Sequence, residues 1–386
     1  MSKRRRTAII QAGIGEDPAH HAVIPPLYLS STFEIDGIGH TPEFQYSRTK
    51  NPTRDQLARV MNELEGGVGA IITCSGMAAT TLIVHLLNPD DVLFAPMDCY
   101  GRAYRLLATL ADKGHFRLKF IDQYNQDAID QAFAENTPKM VYIETPSNPV
   151  MRIADIKSLA ARAKAVGAMT VVDNTFLSPM LQQPLSLGAD IVFHSTTKFL
   201  NGHSDIVGGC VVTNDKGIYT DLEFWANSLG VIGAPFDSFM TLRGMRTLEL
   251  RVHRAQENAE KLAALLNDHH SIETVYYPGL STHPGHDIAK AQQEGFGAML
   301  SFTLKGGLDA AKRFVDALDV FRLAQSLGGT ESLINHPATM THVSMGEEAR
   351  IKAGVTDSLL RISVGVEHID DLSDDIIQAL NAVAHP

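Results

Sequence analysis

Short apolar runs recur along the first two thirds of the chain, each bounded by polar or glycine-containing turns. They are GAIIT (69–73), VLFA (92–95), RLKFI (117–121), MVYI (140–143), MTVVD (169–173), DIVF (190–193) and GCVVT (209–213). Between several of them the apolar period lengthens to that of a helix. In IADIKSLAARAKAVG, for instance, Ile156, Leu159, Ala160 and Ala163 fall on one face. Short strands that are apolar on both faces and separated by helices predict an α/β fold, with a mostly parallel seven-stranded sheet covered on both sides. Ligands of such sheets sit beyond the carboxyl ends of the strands.

The pattern differs at either end. Up to about Asn51 the chain is rich in Pro, Ser, Thr and aromatics without a sustained period, which predicts an extended arm rather than a core element. A helix then opens in NPTRDQLARVMNELEGG, where Thr53 and Gln56 fit a capping box and Leu57, Val60, Met61 and Leu64 form the stripe. Gly66 and Gly67 end it. After Arg254 a helix (255–266), a strand ending in VYYPGL, the run GAMLSFTL and a helix over 310–318 predict a smaller α+β domain. The chain thus divides into an arm (1–60), a large domain (61–254) and a C-terminal small domain (255–386).

Composition narrows the function classes. A chain of 386 residues buries a large core. Its net charge of -11 argues against nucleic acid or an anionic membrane as a partner. No apolar run reaches the ~18–20 residues of a membrane span, and the basic start is followed by no apolar signal segment. Three cysteines, Cys74, Cys99 and Cys210, none in a CxxC pair, suggest a reducing, cytoplasmic setting.

Three strand ends carry unusual residues. Ser75-Gly76-Met77 follows GAIITC and opens a helix, which offers free backbone N–H groups to a phosphate or is simply a small-residue turn. Asp173 ends a strand that should be buried, where it caps a turn or meets a cation. HSTTKFLNGHSD places Lys198 beside the hydroxyls of Ser195, Thr196 and Thr197 directly after DIVF. One ligand accounts for all three: a phosphorylated pyridine aldehyde, which needs a lysine, an acid for its ring nitrogen and a phosphate cradle. No GxGxxG follows a strand and no GxxxxGK[ST] is present, so dinucleotide and P-loop readings lack their fingerprints. The histidines of HPGH, NHPATMTH and the His194/His203 pair lack HExxH or paired Cys/His spacing, and no metal is expected.

These residues sit in longer segments: YSRTKNPTRD, ELEGG, SGMAA, DCYGRAYRL, ETPSNP, VVDNTFLSP, HSTTKFLNGHSD, FDSFMTLRGMRTL, SLGGTESLINHPATMTH and LLRISVG. In order, they resemble the γ-subfamily of pyridoxal 5'-phosphate (PLP) enzymes of transsulfuration nearly end to end. The resemblance implies PLP fold type I, the aspartate-aminotransferase type, and a homotetramer built from two tight dimers. It implies that Lys198 bonds the cofactor aldehyde and moves protons, that Asp173 faces the ring nitrogen, and that Tyr100 stacks on the ring. Gly76, Met77, Ser195 and Thr197 would hold the phosphate, while Tyr46 and Arg48 would reach the neighbouring subunit's phosphate. Arg361 would pair with the substrate α-carboxylate, with Asn148 and Ser326 nearby. Taken one at a time, Tyr46, Arg48, Tyr100 and Arg361 also fit a surface pair, a core aromatic and an ordinary ion-pair arginine.

The implied reaction is γ-replacement on amino-acid substrates, giving L-cystathionine and succinate from O-succinyl-L-homoserine and L-cysteine. Cleavage of cystathionine by a γ-lyase and O-succinylhomoserine sulfhydrylation are the alternatives within the family. Arg105 of YGRAYRL would meet the distal carboxylate of a succinyl ester. Arg102 stands where methionine γ-lyases usually carry cysteine, which weighs against that activity. Gln325 of LAQSLGG replaces a usual glutamate and puts the second substrate in question. A PLP-binding protein without catalysis is the reading from another class, and the presence of Lys198, Asp173, Tyr100 and Arg361 argues against it.

Overall fold

A computed structural model describes residues 5–343 and 346–384. The seven apolar runs are strands: β1 (Gly69–Thr73), β2 (Val92–Pro96), β3 (Arg117–Ile121), β4 (Met140–Glu144), β5 (Met169–Asp173), β6 (Ile191–His194) and β7 (Gly209–Thr213). They form one sheet in the order β1-β7-β6-β5-β4-β2-β3. Only β7 runs against its neighbours, so β1 points the same way as β6. The carboxyl ends of β1, β4, β5 and β6 therefore lie along one edge. Pairing puts Glu144 beside Asp173 and Asp173 beside Phe193, which fixes what projects there.

The strands β8 (Ile272–Tyr276), β9 (Met299–Leu304), β10 (Arg322–Leu323), β11 (Leu333–Asn335) and β12 (Leu359–Ser363) form a second sheet, ordered β10-β11-β12-β9-β8. β12 is its centre and is buried throughout. Arg361 on β12 faces Asn335 on one side and Ser301 on the other.

Two apolar cores cover the two faces of the large sheet. One contains Leu82, Leu93, Val171 and Leu222. The other contains Leu57, Val141 and Val172 and continues without a break into Phe302, Phe314, Ile362 and Leu380 beneath the second sheet. The helix Leu248–Asn267 spans this join, burying Leu248 and Val252 as well as Leu262 and Leu266. It begins well before the expected 255, because its first turns also belong to the shared core. Fully burying such side chains contributes about 1.5–3 kcal/mol each, so the two sheets are coupled mechanically as well as by connectivity.

Two local expectations are corrected. The N-terminal stretch is not wholly an extended arm: α1 (Arg5–Gln11) is helical and seats Ile9, 2% exposed, in the larger core. The helix α2 (Pro52–Glu65) is capped by Asn51, whose side chain accepts the N–H groups of Thr53 and Arg54, and not by a Thr53/Gln56 box. The Thr53 hydroxyl instead accepts from the Tyr28 N–H at 2.9 Å, tying the preceding stretch to the helix. Gly66 ends α2 as expected, at φ 74°, where a left-handed conformation suits glycine.

Candidate active site

Each turn beyond the carboxyl edge supplies one wall of a cavity of about 300 Å³, and β12 with residues 325–327 closes it from the second sheet. Lys198, Asp173, Tyr100, Gly76, Met77, Ser195, Thr197, Asn148, Gln325, Ser326 and Arg361 all line it.

The Lys198 amine donates to the Ser326 hydroxyl at 2.7 Å. Burial, with the Arg361 charge adding to it, lowers its pKa to about 8 from 10.5. That shift raises the neutral, nucleophilic fraction near pH 7.5 by roughly two orders of magnitude. Ser326 holds a left-handed backbone at φ 88°, unusual for a residue with a Cβ. The strain lets it serve two partners, since its carbonyl accepts from Arg361 Nη2 at 2.9 Å while its hydroxyl meets Lys198.

Asp173 ends β5, and its Oδ1 accepts the Thr175 backbone N–H at 2.9 Å. Burial pushes its carboxyl up, against the pull of the Thr175 bonds and of His194. A protonated ring nitrogen bound in the cavity would supply the cation that this acid lacks. Glu144, one strand away in register, is also pushed well up, by burial and then by the Asp173 charge.

The phosphate cradle has its donors free. In α3 (Gly76–Val84), the Ser75 side chain caps the Ala78 N–H, and none of the hydrogen bonds among the described residues uses the N–H of Gly76 or Met77. Glycine is required at 76: a Cβ there would stand 2.8 Å from the Ser195 Cβ and force the two turns apart. The Thr197 hydroxyl is committed to Gly208, accepting its N–H at 3.0 Å and donating to its carbonyl at 3.3 Å. The cradle therefore offers backbone N–H groups at the positive end of a helix, with Ser195 opposite, an arrangement suited to a phosphate.

Arg361 is 2% exposed. Its Nη1 donates to Asn148 Oδ1 at 2.9 Å and its Nη2 to the Ser326 carbonyl, while Nε is buried with no partner among the described residues. Burial lowers its pKa to about 10, which leaves it charged at neutral pH. No carboxylate of the protein pairs with it among the described salt bridges. The fork is held by neutral acceptors and faces the cavity, which prepares it for a carboxylate from outside.

Three expected residues lie elsewhere. Arg105 is exposed on α4 (Gly101–Asp112), and the wall of this chain's own cavity on that helix is Ala103. Tyr46 is 48% exposed, with the Arg48 guanidinium 5.7 Å from its ring centre, and Arg48 donates to the Asn227 carbonyl. Neither reaches this chain's own cavity. Gln325 lines the cavity at its exposed mouth.

Sequence reasoning also missed two groups. Glu144 bonds the backbones of Tyr100 and Asn148, and its signal was an acid at the end of a fully apolar strand, the same signal that marked Asp173. His194 bonds Glu65 at 2.5 Å, both side chains fully buried, behind Ser195. The other histidines weighed as ligands also have partners: His203 meets the Asn201 carbonyl, His283 Nδ1 accepts the Gly285 N–H, His286 meets the Pro278 carbonyl, His336 the Thr339 hydroxyl and His342 the Asn148 carbonyl. Among the described residues no group of three or more His, Cys, Asp or Glu is placed to hold a metal. No helix is long and apolar enough to cross a membrane among those residues.

A nucleophilic amine, an acid positioned for a ring nitrogen, an anion cradle and a carboxylate fork thus share one cavity, and they fit PLP with an amino acid beside it. The sequence pattern of the family described as Cys/Met metabolism PLP-dependent enzyme matches residues 6–381. Cystathionine gamma-synthase of Escherichia coli (strain K12) is 48% identical over 383 residues, covering 99% of each chain. Cystathionine beta-lyase of Lactococcus lactis subsp. cremoris (strain MG1363) is 46% identical over 97% of this chain and 98% of its own. A crystal structure of cystathionine gamma synthase from Xanthomonas oryzae pv. oryzae, in complex with aminoacrylate and cysteine, matches with a TM-score of 0.98 at 52% identity, covering 100% of this chain and 99% of that one. Matched along nearly its whole length, the chain belongs to the Cys/Met metabolism PLP-dependent enzyme family, and pyridoxal phosphate is its cofactor.

Proposed function

We propose that this enzyme joins O-succinyl-L-homoserine to L-cysteine, forming L-cystathionine and succinate. The observation that carries the reading is the link through Ser326, which places the Lys198 amine and the Arg361 fork on one residue. An amino acid whose carboxylate occupies the fork presents its α-carbon to the amine. PLP, when bound, supplies an aldehyde that captures the amino group and a ring that accepts electrons from the α-carbon. Lys198 takes the α-proton and returns protons at the neighbouring carbons. The Cγ–oxygen bond breaks with loss of succinate, the cysteine sulfur bonds Cγ, and the thiol proton balances the departing carboxylate. Asp173 keeps the ring nitrogen protonated, and Asn148 holds the fork in plane.

Support for synthesis over cleavage comes from the relatives: the synthases match at 48% and 52% identity, and the second was crystallised with cysteine. The second reading, cleavage of cystathionine, is favoured by the 46% identity to a cystathionine beta-lyase, while Gln325 at the cavity mouth, neutral where a charge would draw the amino group of cysteine or cystathionine alike, opens the second substrate to sulfide or another thiol. A product assay separates the two. The PLP-loaded protein receives O-succinyl-L-homoserine with cysteine, with sulfide, and alone, and separately L-cystathionine. Cystathionine as the dominant product is expected. Homocysteine from sulfide as the main product, or a 2-oxo acid released from cystathionine, would overturn the synthase reading.

The organisation proposed with it is an arm over residues 1–60, a large domain to 254 and a small domain beyond it, assembled as a cytoplasmic homotetramer. The arm exposes Val23, Leu29 and Ile38, at 67%, 67% and 108%, which a neighbouring subunit would cover while Tyr46 and Arg48 reach its phosphate site.

Capture of PLP should depend on pH through Lys198. The reactive form is the neutral amine, which becomes the majority above about 8. Uptake by cofactor-free protein, followed as absorbance above 400 nm, should speed up as pH rises through about 8 and then level off. A rate still climbing toward pH 10 would show that the amine is not desolvated as the cavity implies.

A further inference from the structure

Glu144 reaches the cavity from the end of β4, yet none of the roles above uses it. It is 5% exposed, and its two oxygens are divided between two loops. Oε2 accepts the Tyr100 N–H at 2.8 Å, and Oε1 accepts the Asn148 N–H at 3.1 Å. Tyr100 heads α4 without a side-chain cap, so this carboxylate is what fixes the backbone carrying the tyrosine. Asn148 is held from both sides, its N–H by Glu144 and its carbonyl by His342 Nε2 at 3.0 Å, which leaves its side-chain oxygen aimed at Arg361.

We propose that Glu144 is a positioning residue that sets the cofactor-stacking Tyr100 and the carboxylate fork of Arg361 and Asn148 from one side chain. The proposal rests on the reading of the site as a PLP centre for amino acids. Only a carboxylate serves both loops. Glutamine keeps one acceptor oxygen and turns an NH₂ toward the other backbone N–H, so one of the two loops must shift. The neighbouring Asp173 does not substitute, because its Oδ1 is taken by Thr175.

The test compares two probes on the PLP-loaded protein, read from the shift of the cofactor's visible band. L-Norvaline carries an amino group and a carboxylate but no leaving group, and n-butylamine is the same molecule without the carboxylate. Glu144→Gln is expected to weaken norvaline binding about tenfold, to change butylamine binding far less, and to alter the visible circular dichroism of the bound cofactor. Asn148→Ala should reproduce the norvaline loss and leave the circular dichroism at the wild-type form. If Glu144→Gln folds poorly, Glu144→Asp keeps the carboxyl group but is too short for both N–H groups, and it should give the same paired signature. Equal losses for norvaline and butylamine, or wild-type binding together with a wild-type dichroic band, would overturn the positioning role. A wild-type protein whose band ignores norvaline would instead sink the reading of the site, and the proposal with it.

Discussion

Lys198→Ala is expected to abolish turnover, by at least about a thousand-fold, while the protein keeps its fold and part of its cofactor. General-base groups contribute roughly 10²–10⁴ in rate, and here the same amine also captures the cofactor covalently. Stability should survive, because among the described residues the amine makes a single hydrogen bond, to Ser326, inside a cavity that is already open. The Gly76 and Met77 N–H groups and Asp173 are untouched, so PLP should still bind noncovalently and be lost on gel filtration more readily than from wild type. Lys198→Arg should not rescue activity, since a guanidinium stays charged and takes no proton at neutral pH. The checks are turnover and retained PLP, measured on the same preparation. Full activity in either variant would end the assignment of Lys198.

The large sheet was legible because its strands are buried on both faces. Burial of that kind leaves continuous apolar runs that need no partner to be recognised, and all seven predicted runs are strands. Lys198 and Asp173 were legible for the same reason, as polar residues that interrupt such a run at its carboxyl end. Helix boundaries were less so. The helix Leu248–Asn267 hides its first turns because Arg251 breaks the apolar stripe, yet Arg251 is 8% exposed and donates to the carbonyls of Phe199, Leu200 and Gly244. A buried arginine that satisfies backbone carbonyls looks like a surface residue in one dimension.

Direction was harder to read than position. On α4 the cavity takes Ala103, and Arg105, two residues on, is turned about 200° around the helix. A motif match gives the residue but not the face it occupies. Tyr46 and Arg48 pose a related difficulty. They lie in the stretch between α1 and α2, which has no helix or strand of its own and meets the rest of the chain through isolated contacts such as the Tyr28 N–H on the Thr53 hydroxyl and Arg48 on the Asn227 carbonyl. Where such a segment's side chains act is set by what packs on it, and their neighbours within this chain do not include the cavity.

Arg361→Ala should act mainly on KM for the amino-acid substrate, raising it about ten- to a hundred-fold, with a smaller fall in kcat. A hydrogen bond to a charged group is worth about 1.5–3 kcal/mol, and the fork faces the cavity with a buried Nε that has no partner among the described residues. An interaction made equally in the bound substrate and the transition state appears in KM. The fall in kcat follows from Ser326: with Arg361 gone its carbonyl loses a donor, and nothing else shown holds the left-handed backbone that presents the hydroxyl to Lys198. Arg361→Lys should recover little, because a single ammonium cannot span Asn148 Oδ1, the Ser326 carbonyl and an incoming carboxylate as a planar fork does. Initial rates across substrate concentration for both variants are the check. Wild-type KM in Arg361→Ala would remove the carboxylate from this site, whereas a loss confined to kcat would make Arg361 a support for Ser326 alone.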